Sequence, residues 1–596
     1  MKDSRQNLLL IIINLFFIYI THIWIEFFYN STFNVDFSKY FDYINYFLSV
    51  DANIDYGQGV LYYFLISTIL KNRLDVVELQ NLDLIISSSV HNANLFLFLI
   101  GLFGIFNLLK VKGVNKKTIY LSTIMLMFFP QAIYMRAVMK PEILCFAMLP
   151  WCLYFIEKYL IKKNLVFLFF AIPFLVVIIN TKASAAGMVL LYLLFSYFKI
   201  LKNLKLKQII ILFFVFVLLV ALIQIENFNI TKTLPFDRPY DSEFDYKANY
   251  SILFRFSPTE IFRSPFFDFD YQQNYYSKNS QSVINLIILD SFGDYFNQLF
   301  DSEINYFSKN RKNFLVNDSE IFINDKREIN YKGPLSNLLV VKINAIRKYL
   351  SSLFSIIFYI VAARLCFVDR NNKYYYLMPL FGVFILYLNA IGIPSNNYNP
   401  FKGDTFKAFY FSFFLCITFA FVTSRILNSK TSFRIPLVLI FIISVIFISG
   451  HPKQNSQNES ERLIIANEYS LFCNINNFLF FENELLKSIH PTGNILGFKS
   501  NCSDVSVGDE RFNIDRNEHD IANENICLNK NGGLGKKLDD ELSNSVECRI
   551  YAMELAKVSD NLKVPLISLA IFIICIVIIF FRNKEYEAIF NDNQKT

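Results

Sequence analysis

The chain is poor in charge. Asp, Glu, Lys and Arg make up 18% of its 596 residues, while 54% are hydrophobic and 17% aromatic. A soluble globular chain carries about a quarter charged residues, so the shortfall excludes an ordinary soluble domain. Alternation of polar and apolar residues is also missing from the apolar runs, which excludes a transmembrane β-barrel. Metal-binding spacing is absent: there is no C-x-x-C pair, and His22, His91, His451, His490 and His519 are scattered singly. No small-x-small cleavage site follows the first apolar run, which makes that run an uncleaved anchor rather than a signal peptide. No internal repeat of the kind found in transporters built from duplicated halves is visible. The net charge of +7 does not point to nucleic acid, because the basic residues come in short clusters between apolar runs.

What the chain has is a succession of apolar runs near twenty residues, the mark of an all-α polytopic membrane protein. Spans are expected at roughly 8–28, 82–109, 118–135, 142–160, 165–181, 183–198, 208–225, 349–368, 374–392, 406–427, 434–450 and 564–581. With about twelve transmembrane helices and both termini inside, the clusters around Lys110–Lys117, Lys158–Lys163, Lys199–Lys207, Arg364–Lys373, Arg425–Arg434 and Arg582–Lys584 all fall on the cytoplasmic side. The expected location is the cell inner (plasma) membrane. Three large blocks then share the opposite face: 29–81, 226–348 and 451–563. Residues 1–450 form the transmembrane body, and 564–596 the final helix and cytoplasmic tail. The block 451–563 reads as a small mixed α/β extracytoplasmic domain. It holds Cys473, Cys502, Cys527 and Cys548, which implies two disulfides whose pairing stays open among three arrangements.

The residues able to carry chemistry gather where aqueous loops meet lipid. The stretch 34–65 holds Asp36, Asp42, Asp51 and Asp55. Tyr40, Phe41, Tyr43, Tyr46 and Phe47 predict a helix over 36–50 lying in the interface. A carboxylate partly desolvated there is raised toward general-base range. Glu26, near the outer end of the first span, either serves the site or reaches the headgroups. In Y-M-R-A-V-M-K-P-E-I-L, Arg136 and Lys140 precede Pro141 and Glu142, which suit the first turn of a helix. Lys182 is the lone charge of the N-T-K turn, and Lys402, Asp404 and Lys407 open the tenth span. Cations at outer span ends run against the orientation trend. They either snorkel or form an anion site for a lipid phosphate. The acidic, aromatic stretch 289–301 predicts an amphipathic helix that packs on the core or covers the site.

Taken in order, these pieces are one span, an outer loop with an early Asp, an aromatic turn of the G-Q-G-V-L-Y-Y-F type, R-x-x-x-K-P-E, and a lone Lys in N-T-K. Over about residues 1–200 the chain resembles the GT-C superfamily of polyprenyl-phosphate-sugar-dependent glycosyltransferases, in pattern the protein O-mannosyltransferases and the bacterial aminoarabinose transferases of lipid A. It departs from them in two places. V-D-F-S-K-Y keeps Asp36 and Tyr40 without a second carboxylate, and the family's H/K-P-P-L-x-Y turn is replaced by Gln58-Gly59-Val60-Leu61-Tyr62-Tyr63.

The resemblance implies a GT-C-like fold and an inverting sugar transfer on the extracytoplasmic face. The donor is a polyprenyl-phosphate-linked sugar and the acceptor a lipid, glycan or protein. Asp36 is the implied base, and Arg136, Lys182 and Lys407 hold the donor phosphate. Tyr40, Asp42, Gln58, Tyr62, Glu142 and Tyr410 contact substrate. Such sites can work without a metal; if a divalent metal is used, Asp36 with Asp42 or Asp51 would hold it. The rival readings are a transporter or flippase of lipid-linked saccharides and a noncatalytic envelope-assembly protein.

Overall fold

The computed structural model describes residues 2–28, 31, 37–49, 54, 58–74, 82–232, 287, 291–292, 314–316, 319–323, 329–332, 353–390, 408–428 and 562–593. Helices follow the apolar runs. α1 (Lys2–Phe28) is followed by two short helices, α2 (Phe37–Phe47) and α3 (Leu61–Leu74). A near-continuous series comes next: α4 (Leu82–Val111), α5 (Lys116–Met127), α6 (Pro130–Ala137), α7 (Glu142–Lys162), α8 (Val166–Thr181), α9 (Ala183–Asn203) and α10 (Leu206–Thr231). Later come α11 (Leu353–Val368), α12 (Lys373–Ala390), a 3-10 turn at Ala408–Phe411 leading into α13 (Ser412–Asn428), and α14 (Leu566–Asn593). Each expected span has a helix over it except 434–450, which lies outside the described residues together with 451–561.

Among the described residues, four helices are long and apolar enough to cross a membrane: Ile85–Val111, Glu142–Lys162, Leu206–Thr231 and Ala408–Asn428. The number is five if the bent pair α5–α6 counts as one span. Further apolar helices are shorter, at 10–17 residues. This is the architecture of a membrane-embedded α-helical protein, in which helices satisfy their own backbone polar groups.

Which helix lies inside follows from composition. α7 carries Glu142, Pro150, Trp151 and Glu157, and 89% of its apolar window is buried; α10, the more apolar of the two, has 6% of its window buried. Lipid tails are as apolar as leucine, so the helix with polar groups gains from burial and the uniformly apolar one loses nothing outside. α7 is flanked by α4 and α8 and touches α13 and α9. Gly101 and Gly104 let α4 approach: a Cβ at Gly101 would sit 2.6 Å from the Phe146 ring, and one at Gly104 2.9 Å from Pro150. The Trp151 indole N–H donates across this contact to the Ile100 carbonyl at 2.9 Å.

Two features differ from the sequence reading. The stretch 118–135 is not one straight span but two helices bent by 58°. Pro130 opens the second, and Phe129 before it is extended (φ −64°, ψ 127°), the conformation a following proline enforces. Strand structure, expected only in 451–563, occurs within the block 226–348. There β1 (Phe314–Val316), β2 (Ser319–Ile323) and β3 (Ile329–Lys332) form an antiparallel sheet in sequential order, with Val316 opposite Ser319 and Ile321 opposite Tyr331. Phe, Val, Ile and Tyr fill these short segments, the residue types that suit a pleated surface.

Candidate functional site

α4 fixes the segment that leads into α7. Asn94 donates from Nδ2 to the carbonyls of Arg136 (3.0 Å) and Val138 (2.9 Å), and its Oδ1 accepts from the Tyr62 hydroxyl at 2.9 Å. His91 Nε2 lies 3.2 Å from the Ala137 carbonyl. Pro141 then caps α7 with no N–H to satisfy, and Glu142 occupies the first turn, where a carboxylate meets the positive end of the helix dipole.

A second wall comes from the turn between α8 and α9. Lys182 is extended there (φ −159°, ψ 133°), while Asn180 and Thr181 return side-chain hydrogen bonds to Val176 and Val177. The loop before α3 docks on this turn. The Gly59 N–H donates to the Thr181 carbonyl at 3.0 Å, and a Cβ on Gly59 would stand 2.2 Å from the Asn180 carbonyl oxygen, so only glycine fits. Gln58 is held by tyrosines. Its N–H donates to Tyr43 Oη (3.0 Å), its Nε2 reaches Tyr40 Oη (3.4 Å), and its Oε1 accepts from the Tyr63 hydroxyl (2.8 Å). The rings of Tyr40 and Tyr43 stack on Tyr63. Burial holds the Tyr62 and Tyr63 phenols well above the usual tyrosine range, which keeps both as neutral donors. α2 therefore faces inward: Tyr40, Phe41, Tyr43, Ile44 and Phe47 are all buried.

Where these elements meet lies a buried ion pair. Lys182 Nζ stands 2.5 Å from Glu142 Oε1. The two residues are 9% and 1% exposed, so the charges have left water and depend on each other. The other carboxylate oxygen, Oε2, is buried and has no hydrogen-bond partner. Lys182 Nζ also sits 4.3 Å from the Tyr410 ring centroid, and Lys140 Nζ lies 5.2 Å from the same centroid. Segments from α3, α7, the α8–α9 turn and the 3-10 turn before α13 thus converge.

Of the expected site residues, Tyr40, Gln58, Tyr62, Glu142, Lys182 and Tyr410 are brought to this end of the bundle. Asp42 is half-buried on α2. Asp36, Asp51 and Lys407 lie outside the described residues. Arg136 is buried between helices. Its guanidinium donates to the carbonyls of Ala132 (3.1 Å) and Met127 (2.6 Å) and to Thr21 Oγ1 (2.9 Å), tying α6 to α5 and α1. The break at Phe128–Phe129 leaves α5 carbonyls without helical partners, and Arg136 answers one of them. Lys140, immediately before Pro141, lies 5.2 Å from the Tyr410 ring centroid.

Glu26 does not merely reach outward. It accepts from Ser88 Oγ at 3.3 Å and faces His91 Nδ1 at 3.4 Å and His22 Nε2 at 3.7 Å. Among the described residues no group of three His, Cys, Asp or Glu side chains has the arrangement of a metal site. Of the stretch 289–301, Ser291 and Phe292 are described. Phe292 packs among Phe129, Phe358 and Phe419, and Ser291 Oγ lies 2.7 Å from Tyr359 Oη. α14 is held against the site's outer elements by Glu226 of α10, whose two oxygens accept from the N–H groups of Ile567 and Ser568, both at 2.7 Å.

The opposite end of α7 carries a different cluster that the sequence reading missed. Glu157 Oε1 accepts from the hydroxyls of Tyr375 (2.6 Å) and Tyr197 (3.0 Å), and Lys112 Nζ stands 3.1 Å away. Tyr375 in turn stacks on Phe421 with centroids 4.0 Å apart.

Compared with known proteins, the chain matches no family model, no curated protein and no solved structure. The fold and the site define a class, an α-helical membrane protein with a buried, incompletely satisfied ion pair at one end of its central helix.

Proposed function

We propose that this protein is a membrane glycosyltransferase. It moves a sugar from a polyprenyl-phosphate carrier to a hydroxyl or amine acceptor on the extracytoplasmic face, within a GT-C-like body of about twelve transmembrane helices. The observation that carries the proposal is the meeting of Lys182, Lys140, Glu142 and Tyr410, from three separate parts of the chain, beside the docked Gln58–Gly59 loop. Charges buried at such a cost mark functional positions in membrane proteins.

In the proposed reaction, Asp36 takes the proton of the acceptor. The acceptor oxygen or nitrogen forms a bond to the anomeric carbon as the bond from that carbon to the phosphate oxygen breaks. The electron pair leaves with polyprenyl phosphate, and the anomeric centre inverts. Lys182 and Lys140, with Lys407 of the adjoining segment, stabilise the growing negative charge on the phosphate.

The test is a proteoliposome assay with lipid-linked sugars and candidate acceptors. Acceptor labelling with release of polyprenyl phosphate, lost in Asp36→Asn while the protein still folds, is the expected result. Movement of intact lipid-linked sugar across the bilayer without release would instead make the protein a flippase.

A further inference from the structure

The imidazole of His91 faces two acceptors. Its Nε2 lies 3.2 Å from the Ala137 carbonyl, and its Nδ1 lies 3.4 Å from Glu26 Oε1. Carbonyl and carboxylate oxygens only accept, whereas a neutral imidazole has a single N–H to give. The ring is 1% exposed, and with its hydrogen on Nε2 the bare Nδ1 has no hydrogen-bond partner. A buried lone pair opposite an ionised carboxylate is unfavourable. One added proton, on Nδ1 or on Glu26, turns the contact into a strong hydrogen bond. We propose that Glu26 and His91 form a proton-binding site. One proton held between Oε1 and Nδ1 fastens the end of α1 to α4 and leaves Nε2–H to hold the α6–α7 connection.

The surroundings give this proton a structural consequence. Ser88 donates to the same Glu26 oxygen at 3.3 Å, and Ser31, just past α1, donates its N–H to Ser87 Oγ at 3.0 Å. The end of α1 thus meets α4 at two points. Asn94, a turn beyond His91, holds the carbonyls of Arg136 and Val138, so His91 completes a row of contacts along the segment that leads to Lys140 and Glu142. Glu26 is 30% exposed, which gives the proton a way in and out. Once it leaves, one N–H serves two acceptors, and either the α1 contact or the Ala137 contact is given up. The other charged or titratable groups around the pair come from each packed element. His22 of α1 stands 3.7 Å from Glu26 Oε1, and Arg136 of α6 lies within electrostatic reach of His22. Tyr62 of α3 is bonded to Asn94, and Glu142 of α7 is paired with Lys182. Cys416 of α13 lies near Arg136, and Tyr120 of α5 packs on Phe106, about four turns along α4. Histidine is the type among these that ordinarily titrates near neutral pH, so His22 is the group to control for.

Hydrogen–deuterium exchange tests the proton site on the full-length protein in nanodiscs. Rates are read at about pH 5.5 and about pH 8.5, either side of the ordinary imidazole value, and corrected for the intrinsic effect of pH. In the wild type, protection at 22–31 or at 136–144 should fall about tenfold at the higher pH, as the proton leaves. In Glu26→Gln the side-chain amide brings its own hydrogen to Nδ1. Both contacts then persist without a shared proton, and protection should be the same at the two pH values. Glu26→Ala offers no donor and should lack the protection at 22–31 at both. His22→Gln should leave the wild-type fall in place.

No fall in the wild type, or an equal fall in Glu26→Gln, overturns the inference. A fall that disappears in His22→Gln also overturns it, because the proton would then belong to His22. If Glu26→Gln does not fold, NMR of wild-type protein labelled with [15N]histidine decides. The exchange-protected imidazole should have hydrogen on or bonded to both nitrogens at pH 5.5 and a bare nitrogen at pH 8.5; a bare nitrogen at both overturns the inference. None of these readings needs a lipid-linked sugar, so the glycosyltransferase proposal survives their failure and they survive its failure.

Discussion

Two buried carboxylates stand on α7, Glu142 at its first residue and Glu157 about 22 Å further along the axis. They share a helix, a charge and near-complete burial, and differ in how they are served. Glu157 gathers two phenol hydroxyls and a lysine onto one oxygen, from three other elements of the chain. Glu142 has one lysine and an empty second oxygen. The first arrangement is what a fold does with a charge it must keep. The second leaves a buried charge only half satisfied.

Removing the lysine at each end breaks the comparison most severely. Lys182→Met leaves Glu142 buried without a partner and should cost about 3–5 kcal/mol. Lys112→Met leaves Glu157 with its two hydroxyls, and Lys112 is already partly exposed (16%), so about 1–2 kcal/mol is expected. Thermal unfolding in detergent measures both. The double variant Lys182→Met/Glu142→Gln should recover most of the lost stability but not sugar transfer, which should stay down about a hundredfold or more. Equal costs at the two ends would make Glu142 a structural residue like Glu157.

Gly59→Ala probes the unsaturated end without touching a charge. The added methyl meets the Asn180 carbonyl at 2.2 Å and Thr181 Cα at 2.8 Å, both backbone atoms that cannot swing aside. About 1–3 kcal/mol of stability should be lost, and proteolysis near residues 58–60 should speed up as they undock from the turn. Unchanged stability would mean that the loop can leave the turn at no cost.

High pH bears on the same end. Burial raises the Tyr62 and Tyr63 phenols, so in the folded state they keep their protons at pH values where the unfolded chain loses them. Their contribution is fully present below about pH 10 and is lost as pH rises through the folded-state values. Stability should therefore fall on going above about pH 10, and the share of phenolate absorbance lost in Tyr62→Phe and Tyr63→Phe should appear only on unfolding.

Much of the helical framework was legible in the sequence because apolar runs of membrane length leave few alternatives. The cations at span ends were legible too: Lys140 and Lys182 stood out by opposing the orientation trend. What could not be read was the pairing. Glu142 and Lys182 are separated by 40 residues, Gly59 and Thr181 by more, and nothing in local periodicity joins them. Lys112 counted as an orientation marker, which hid its bond to Glu157. Arg136 looked like Lys140 in sequence, yet the helix break at Phe128–Phe129 gives it a carbonyl to satisfy. Pro130 was the available signal for that break.

The smallest effect belongs to Tyr375→Phe at the saturated end. The change removes one of the three donors on Glu157 and the 3.0 Å contact between the Tyr375 and Tyr197 hydroxyls, while the ring still stacks on Phe421 at 4.0 Å. Tyr197 keeps its own bond to Glu157 at 3.0 Å, and Lys112 keeps its charge contact. The carboxylate is therefore still served by two groups, and the loss should be about 1 kcal/mol, the net worth of one hydrogen bond to a charged group that retains others. Thermal unfolding reads the cost, and transfer activity should not change at all. A loss of activity here would mean that the two ends of α7 are coupled and that saturation of Glu157 serves the distant site as well as the fold.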